Sequence, residues 1–221
     1  MGTRGNIVDA IHEHDLVGLK RIHGATGLLH SIGAVFGGGT WMHLAAAHGN
    51  PQILDWLNEV GFDLDQESSR EGDRPIACAA AEGNAANLRW LLKHDVTLDT
   101  SASVRNPLFA AIIGKSPECV QMLLDAGIEA TVRYTSPTMK DMDAMAFALY
   151  RSHYEGVGTR DLAILVARHL ADGDVGKIGS LLEDAQERAR LNGVPTLIRL
   201  VPTTDEIARM RWDESGALIL E

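Results

Sequence analysis

Along the middle of the chain, short alanine-rich apolar stretches alternate with bulkier apolar stretches, and polar or glycine breaks separate them. Thr40-Trp41-Met42-His43-Leu44-Ala45-Ala46-Ala47 runs into His48-Gly49-Asn50, and an apolar pattern resumes over Ile53 to Val60. The same sentence is written again from Arg74-Pro75-Ile76-Ala77-Cys78-Ala79-Ala80-Ala81 through Glu82-Gly83-Asn84, followed by Ala86 to His94. The two copies are 34 residues apart, and their downstream halves hold register, with Trp56-Leu57 matching Trp90-Leu91. A third copy opens at Asn106-Pro107-Leu108-Phe109-Ala110-Ala111 and continues over Pro117 to Ala126. Each copy predicts two helices with a turn between them, the break residues acting as stop and start signals. Alanines let the first helices of neighbouring copies approach closely, and the Trp, Leu and Met of the second fill the space between. Neither helix buries its apolar face alone, so the copies must stack.

Internal repetition with a period in the low thirties is a property of only a few architectures. Thr40-Trp41-Met42-His43-Leu44-Ala45-Ala46 is similar to the T-P-L-H-x-A-A opening of ankyrin repeats, whose usual period is about 33 residues. The apolar pair before glycine in Leu123-Leu124-Asp125-Ala126-Gly127 also resembles the end of the ankyrin second helix. The departures are specific: the motif's proline is Trp41 in the first copy, and its histidine is Ala77 and then Phe109 in the next two. The resemblance implies an all-α ankyrin-repeat solenoid of stacked helix-turn-helix hairpins. Its repeats fall at about 40–73, 74–105, 106–140 and 141–173, preceded by a degenerate capping hairpin at 5–24, so that residues 1–173 form the stack.

The cap reads from Ile7, Val8, Ala10 and Ile11, a turn near His14-Asp15, then Leu16, Leu19 and Ile22. The fourth copy has an inner helix over Asp141 to Arg151 and an outer one over Asp161 to Leu170, with Ser152 to Thr159 as a long turn between them. Residues 174–221 depart from the pattern. Val175 to Leu191 predicts an amphipathic capping helix with Ile178, Leu181, Leu182 and Ala185 on one face. Beyond Pro195, Leu197 to Val201 and Ala217 to Leu220 are short apolar runs that predict strands in a small tail, paired around a helix-like stretch from Asp205 to Met210.

Composition narrows the partners. The chain has 221 residues, 45% hydrophobic and 5% aromatic, with a formal net charge of -10. That size supports a sizeable core of one or two domains, and the acidic surface repels nucleic-acid phosphate and anionic membrane. A basic protein partner suits it better. Five lysines against fifteen arginines hint at a GC-rich, bacterial genome. Cys78 and Cys119, one in an inner and one in an outer helix, read as buried thiols of a reducing compartment. Arg4 is followed by Asp9 and Glu13 without an apolar stretch, which gives no signal peptide. The least polar segment, Gly24 to Gly39, is interrupted by His30 and is too short to span a bilayer. A cytoplasmic location and a monomeric free state are expected.

Candidate chemistry is sparse. His12 and His14 lie two apart, so a helix points them to different sides and they do not share an ion. His43 and His48, five apart, pair no better. Gly37-Gly38-Gly39-Thr40 lacks the lysine of a phosphate-binding loop, Trp41 standing in its place, and reads as a flexible approach to the first full copy. No catalytic, cofactor or metal site is expected, and no cofactor.

By the resemblance, the binding surface consists of exposed inner-helix positions and loop tips. The inner helices supply Leu44, Ala47 and His48, then Cys78, Ala81 and Glu82, then Ala110 and Ile113, then Phe147, Tyr150 and Arg151. The loops supply Asp63, Asp65, Glu67, Arg70, Glu71 and Asp73, then Asp99 and Arg105, then Arg133, Tyr134 and Lys140. Aromatic anchors and arginines dominate interface energies, which singles out Tyr134, Phe147 and Tyr150. The resemblance thus implies stoichiometric protein binding. Bacterial ankyrin proteins of this size include immunity proteins that neutralise a cognate toxic effector, and an acidic stack suits capture of a basic toxin. A scaffold or regulatory adaptor, a secreted effector, and an enzyme with its catalytic module in 174–221 are the alternatives.

Overall fold

The computed structural model describes residues 3–27, 35–155, 158–213 and 218–219. Residues 28–34, inside the Gly24 to Gly39 stretch and including His30, lie outside the described residues, as do 156–157 within the expected long turn and 214–217 and 220–221 of the tail. The chain divides into two compact units, residues 1–110 and 111–221.

In the first unit, the caps written in the sequence start the helices. The N-terminal hairpin is α1 (Thr3–His12) and α2 (Leu16–Thr26), the latter capped by the Asp15 carboxylate on the Gly18 N–H. Ile7, Ile11 and Leu19 are its fully buried side chains. A 3-10 turn (Phe36–Gly38) leads to α3 (Trp41–His48) and α4 (Pro51–Glu59). Asn50 caps α4 through Ile53 N, and Pro51 takes the first helical position, where a missing N–H costs nothing. The second copy repeats the device: α5 (Pro75–Ala81) starts on proline, and Asn84 caps α6 (Ala85–Leu92) through Asn87 N. α3 packs on α5 through Ala45, Ala46, Ala79 and Ala80, all fully buried. Their short side chains are what permit the close approach of the two inner helices. Trp41, Met42, Ile53, Leu54, Leu57, Leu88 and Leu91 fill the remaining core.

Polar side chains then bolt the two copies together. Asn87 is fully buried on α6 and donates from Nδ2 to the carbonyls of Ala45 (3.0 Å), Ala46 (3.0 Å) and Gly49 (3.1 Å) of the preceding copy. Asn84 Nδ2 reaches the carbonyls of Ala47 (3.2 Å) and Gly49 (3.3 Å). The Ala46, Ala47 and Gly49 carbonyls lie where α3 ends and a helix runs out of its own donors, while the Ala45 carbonyl also accepts the Gly49 N–H at 2.8 Å.

The Gly37-Gly38-Gly39 run is not a loose approach. Gly38 has φ +89°, and its carbonyl accepts the Ser69 N–H at 3.0 Å; a Cβ there would lie 2.5 Å from Ser69 Oγ. The glycine is required for close approach of two backbones.

α7 (Pro107–Ile113) spans the division between the units. The second unit continues with α8 (Pro117–Asp125), capped by Ser116, and a two-stranded antiparallel hairpin, β1 (Tyr134–Ser136) with β2 (Met139–Met142). The sequence pattern predicts no strands here. α9 (Ala144–Glu155) and α10 (Gly158–Leu170) follow. The long turn expected over Ser152 to Thr159 is corrected: 152–155 complete α9 and 158–159 open α10, with the Tyr154 ring packed back on Tyr150 one turn earlier.

α11 (Val175–Leu191), capped by Asp174, packs on both α9 and α10. Its Arg188 is buried and donates to Asp143 Oδ2 at 2.6 Å, while Asp143 Oδ1 caps α9 through Ala146 N. α12 (Thr204–Arg209) packs on α11, and β3 (Arg211–Trp212) pairs antiparallel with β4 (Leu218–Ile219) in the small strand-containing tail. The strand expected over Leu197 to Val201 does not form. Gln186 Oε1 accepts the N–H groups of Leu200 (2.7 Å) and Val201 (3.4 Å), so a side chain takes the place of a partner strand.

Candidate functional site

In the first unit, the predicted loop residues are organised by two arginines. Arg74 donates to the Asp65 carbonyl (2.6 Å) and to Glu67 Oε1 (2.9 Å), and its Nε lies 3.9 Å from Asp99 Oδ2. Arg105 Nη1 lies 3.7 Å from both Glu67 Oε1 and Asp99 Oδ2, and its Nε donates to the Glu71 carbonyl. Asp65 also receives Thr97 through both N–H and hydroxyl. Asp65, Glu67, Asp99 and Arg105 therefore stand together as one charge network across successive loops. The Ser101 hydroxyl foremost, then the Ser101 N–H and the Arg105 and Arg74 guanidinium groups, hold the Asp99 carboxyl below the usual carboxylate range against the opposing effect of burial. Gly72 (φ +69°) makes room for the clamp, since a Cβ there would sit 2.4 Å from an Arg105 guanidinium nitrogen.

Asp73 is half-buried and internally engaged. Its carboxylate accepts from Ser68 Oγ and, at 3.4 Å, from the Cys78 thiol, and its carbonyl meets His43 Nε2 at 3.1 Å. Burial first, then the Asp73 charge, pushes the Cys78 thiol up, away from any nucleophilic role. Arg70, Glu71 and Glu82 are exposed; Leu44 and His48 are half-buried. His48 belongs to a histidine group at the junction with the cap: its ring stacks on His12 with centroids 4.6 Å apart, and its carbonyl meets His14 Nε2 at 3.1 Å. Stacked imidazoles direct their lone pairs within parallel planes, which keeps them from converging on one ion. Among the described residues there is no group of three or more His, Cys, Asp or Glu placed to hold a metal.

The second unit holds the remaining residues. Arg133 pairs with Asp141 (3.3 Å) and Asp184 (3.8 Å), and Tyr134 begins β1 at its side. On α9, Phe147 is buried beneath the Arg151 guanidinium, 5.6 Å from ring centre, and Tyr150 packs against Tyr154 at 5.0 Å. Arg151 bonds Glu155 at 2.5 Å, and Lys115 approaches the same carboxylate at 3.6 Å. Tyr154 is 59% exposed and Ile113 46%, so this unit presents large apolar side chains to solvent. Tyr154 and His153 were missed because a turn was placed at Ser152. The signal was present, since Tyr150 and Tyr154 are four residues apart and share a helix face.

The repeated unit is a helix-turn-helix whose copies satisfy one another's leftover carbonyls and bury one another's apolar faces, which defines a repeat protein. Residues 42–134 match the family model for ankyrin repeats, in three copies. Over this stretch the chain is similar to ankyrin repeats, which generally mediate protein–protein interaction. Among the described residues no helix is long and apolar enough to cross a membrane.

Proposed function

We propose that the chain is a non-catalytic protein-binding module, with residues 1–173 as the stack and 174–221 as its cap and tail. The reading extends to an immunity protein of a bacterial cytoplasm that, monomeric when free, neutralises a cognate basic toxin. The observation that carries binding is the aromatic and arginine ridge on α9, where exposed Tyr154 packs on half-buried Tyr150 beside Arg151 on one helix. Such side chains supply large contact area at little entropic cost and concentrate binding energy. The net charge of -10 supports a basic partner through electrostatic steering.

The test is affinity capture of the tagged chain from its own cell, followed by titration of the identified protein against the purified chain. A tight one-to-one complex that abolishes the partner's toxicity is the expected result. Tyr150→Ser with Tyr154→Ser should then weaken binding about tenfold or more while the melting temperature holds. Several weak partners with no toxicity would replace the immunity reading with an adaptor.

A further inference from the structure

Of the seven asparagines in the chain, Asn192 alone precedes a glycine. A glycine amide nitrogen has no neighbouring side chain to shield it, so it reaches the carboxamide carbon of the preceding asparagine more readily than any other residue's does. The carboxamide at stake here has a structural duty. Asn192 Oδ1 accepts the Lys140 N–H at 2.8 Å, and Nδ2 donates to the carbonyls of Lys140 (2.8 Å) and Arg188 (2.8 Å). The side chain thus grips both backbone groups of one β2 residue, as a third strand would, and fastens the β1–β2 hairpin to the end of α11.

We propose that Asn192-Gly193 is a deamidation site whose conversion releases this clasp. The Gly193 nitrogen gives up its proton to solvent base and attacks Cγ of Asn192. The new N–C bond forms, the Cγ–Nδ2 bond breaks, and Nδ2 departs as ammonia with protons from water. Water then opens the five-membered imide to aspartate or isoaspartate, with no oxidant or reductant involved. Where Nδ2 donated two hydrogen bonds there is now an anionic oxygen facing the carbonyls of Lys140 and Arg188. Three acceptors meet with no donor between them, and the clasp does not close again.

The closed clasp holds the reaction back. Asn192 sits at φ -105°, ψ 14° with its carboxamide bonded three ways, and the Gly193 N–H is held on the Arg190 carbonyl at 3.1 Å. Conversion therefore proceeds from the opened state, and its rate reports how often the hairpin leaves α11. Arg133, Tyr134 and Lys140 lie on or beside this hairpin, so ageing at one asparagine alters a surface far from it in sequence.

The test is incubation of the full chain at mildly alkaline pH with peptide mapping by mass spectrometry. Asn192 should convert ahead of the other six asparagines, and faster in mild urea. Amide exchange at Lys140 and Met142 should rise about tenfold or more in the converted chain and in Asn192→Asp, with α3 to α6 unchanged. Another asparagine converting first, or exchange at Lys140 unaffected by conversion, would overturn the proposal. Should Asn192→Asp fail to fold, the time course of exchange in the converting native chain gives the same reading.

Discussion

His43 Nδ1 accepts the Thr40 N–H at 3.0 Å while its Nε2 meets the Asp73 carbonyl at 3.1 Å, so one neutral ring caps its own helix and holds the loop that leads into the next copy. Acceptance at Nδ1 fixes the proton on Nε2. Burial depresses the pKa below 6.5, with the Asp73 carbonyl and charge pulling the other way. The folded state therefore binds fewer protons than the unfolded state. Stability from this group is complete above about pH 6.5 and is lost as pH falls from there through the lowered folded value. Urea midpoints at pH 7.5, 6 and 5 should show that loss, and His43→Ala should cost about 1–3 kcal/mol at neutral pH and flatten the slope. An equally steep slope in the variant would place the pH sensitivity elsewhere.

Gly72 and Arg105 should couple. Gly72→Ala meets both a left-handed backbone and the Arg105 guanidinium, and should cost about 1–3 kcal/mol. In an Arg105→Ala background the collision disappears and only backbone strain remains, so the same substitution should cost about 1 kcal/mol. Additive effects in a double-mutant cycle would mean that the guanidinium does not lie over the glycine in solution. Arg105→Ala alone removes partly exposed ion pairs and should cost less than about 1 kcal/mol, falling further at high salt.

Asn87→Leu keeps the branched heavy-atom skeleton, in a somewhat larger side chain, and removes the donor. It should cost about 1–3 kcal/mol by taking the inter-copy donor from the Ala46 carbonyl and leaving the Ala45 and Gly49 carbonyls one donor fewer. Chemical denaturation reads this, and hydrogen exchange should show the loss shared between α3 and α6. A variant as stable as the parent would show that packing alone holds the copies together.

The pairing of Arg188 with Asp143 is the most deeply buried ion pair among the described residues. Arg188→Ala leaves a carboxylate in the interior and should cost about 3–5 kcal/mol. Asp143→Asn with Arg188→Met should recover part of that loss, since no uncompensated charge remains. If the double variant is worse than the single, the pair stabilises beyond what neutral groups of like volume supply.

Much of this was legible because it is local. Asn50-Pro51, Asn84 and Ser116-Pro117 announce helix starts, and alanine stretches mark the helices that must approach closely. What was hidden depends on distant partners. Arg74 reads only as the first residue of the second copy and Arg105 as a loop cation, until folding brings both to Glu67 and Asp99. Asp65 and Glu67 read as a free acidic loop for the same reason. Arg188, on a charged stretch of an amphipathic helix, gives no sign that it faces inward. Leu197 to Val201 is apolar enough for a strand, yet what it meets is the Gln186 carboxamide, and Leu197 is left 99% exposed. The β1–β2 hairpin is short, mostly exposed and interrupted by Pro137, so alternation could not reveal it.

Asn84 and Asn87 reach backwards, from the second copy into the end of the first, and this sets how the gene can be cut and spliced. A chimaera that imports Trp41 to Gly49 without Asn84 to Leu92 strands carbonyls at the seam, whereas a cassette carrying both travels with its own fastening. Designers shortening this chain by a single period would need to carry the two asparagines across the new junction.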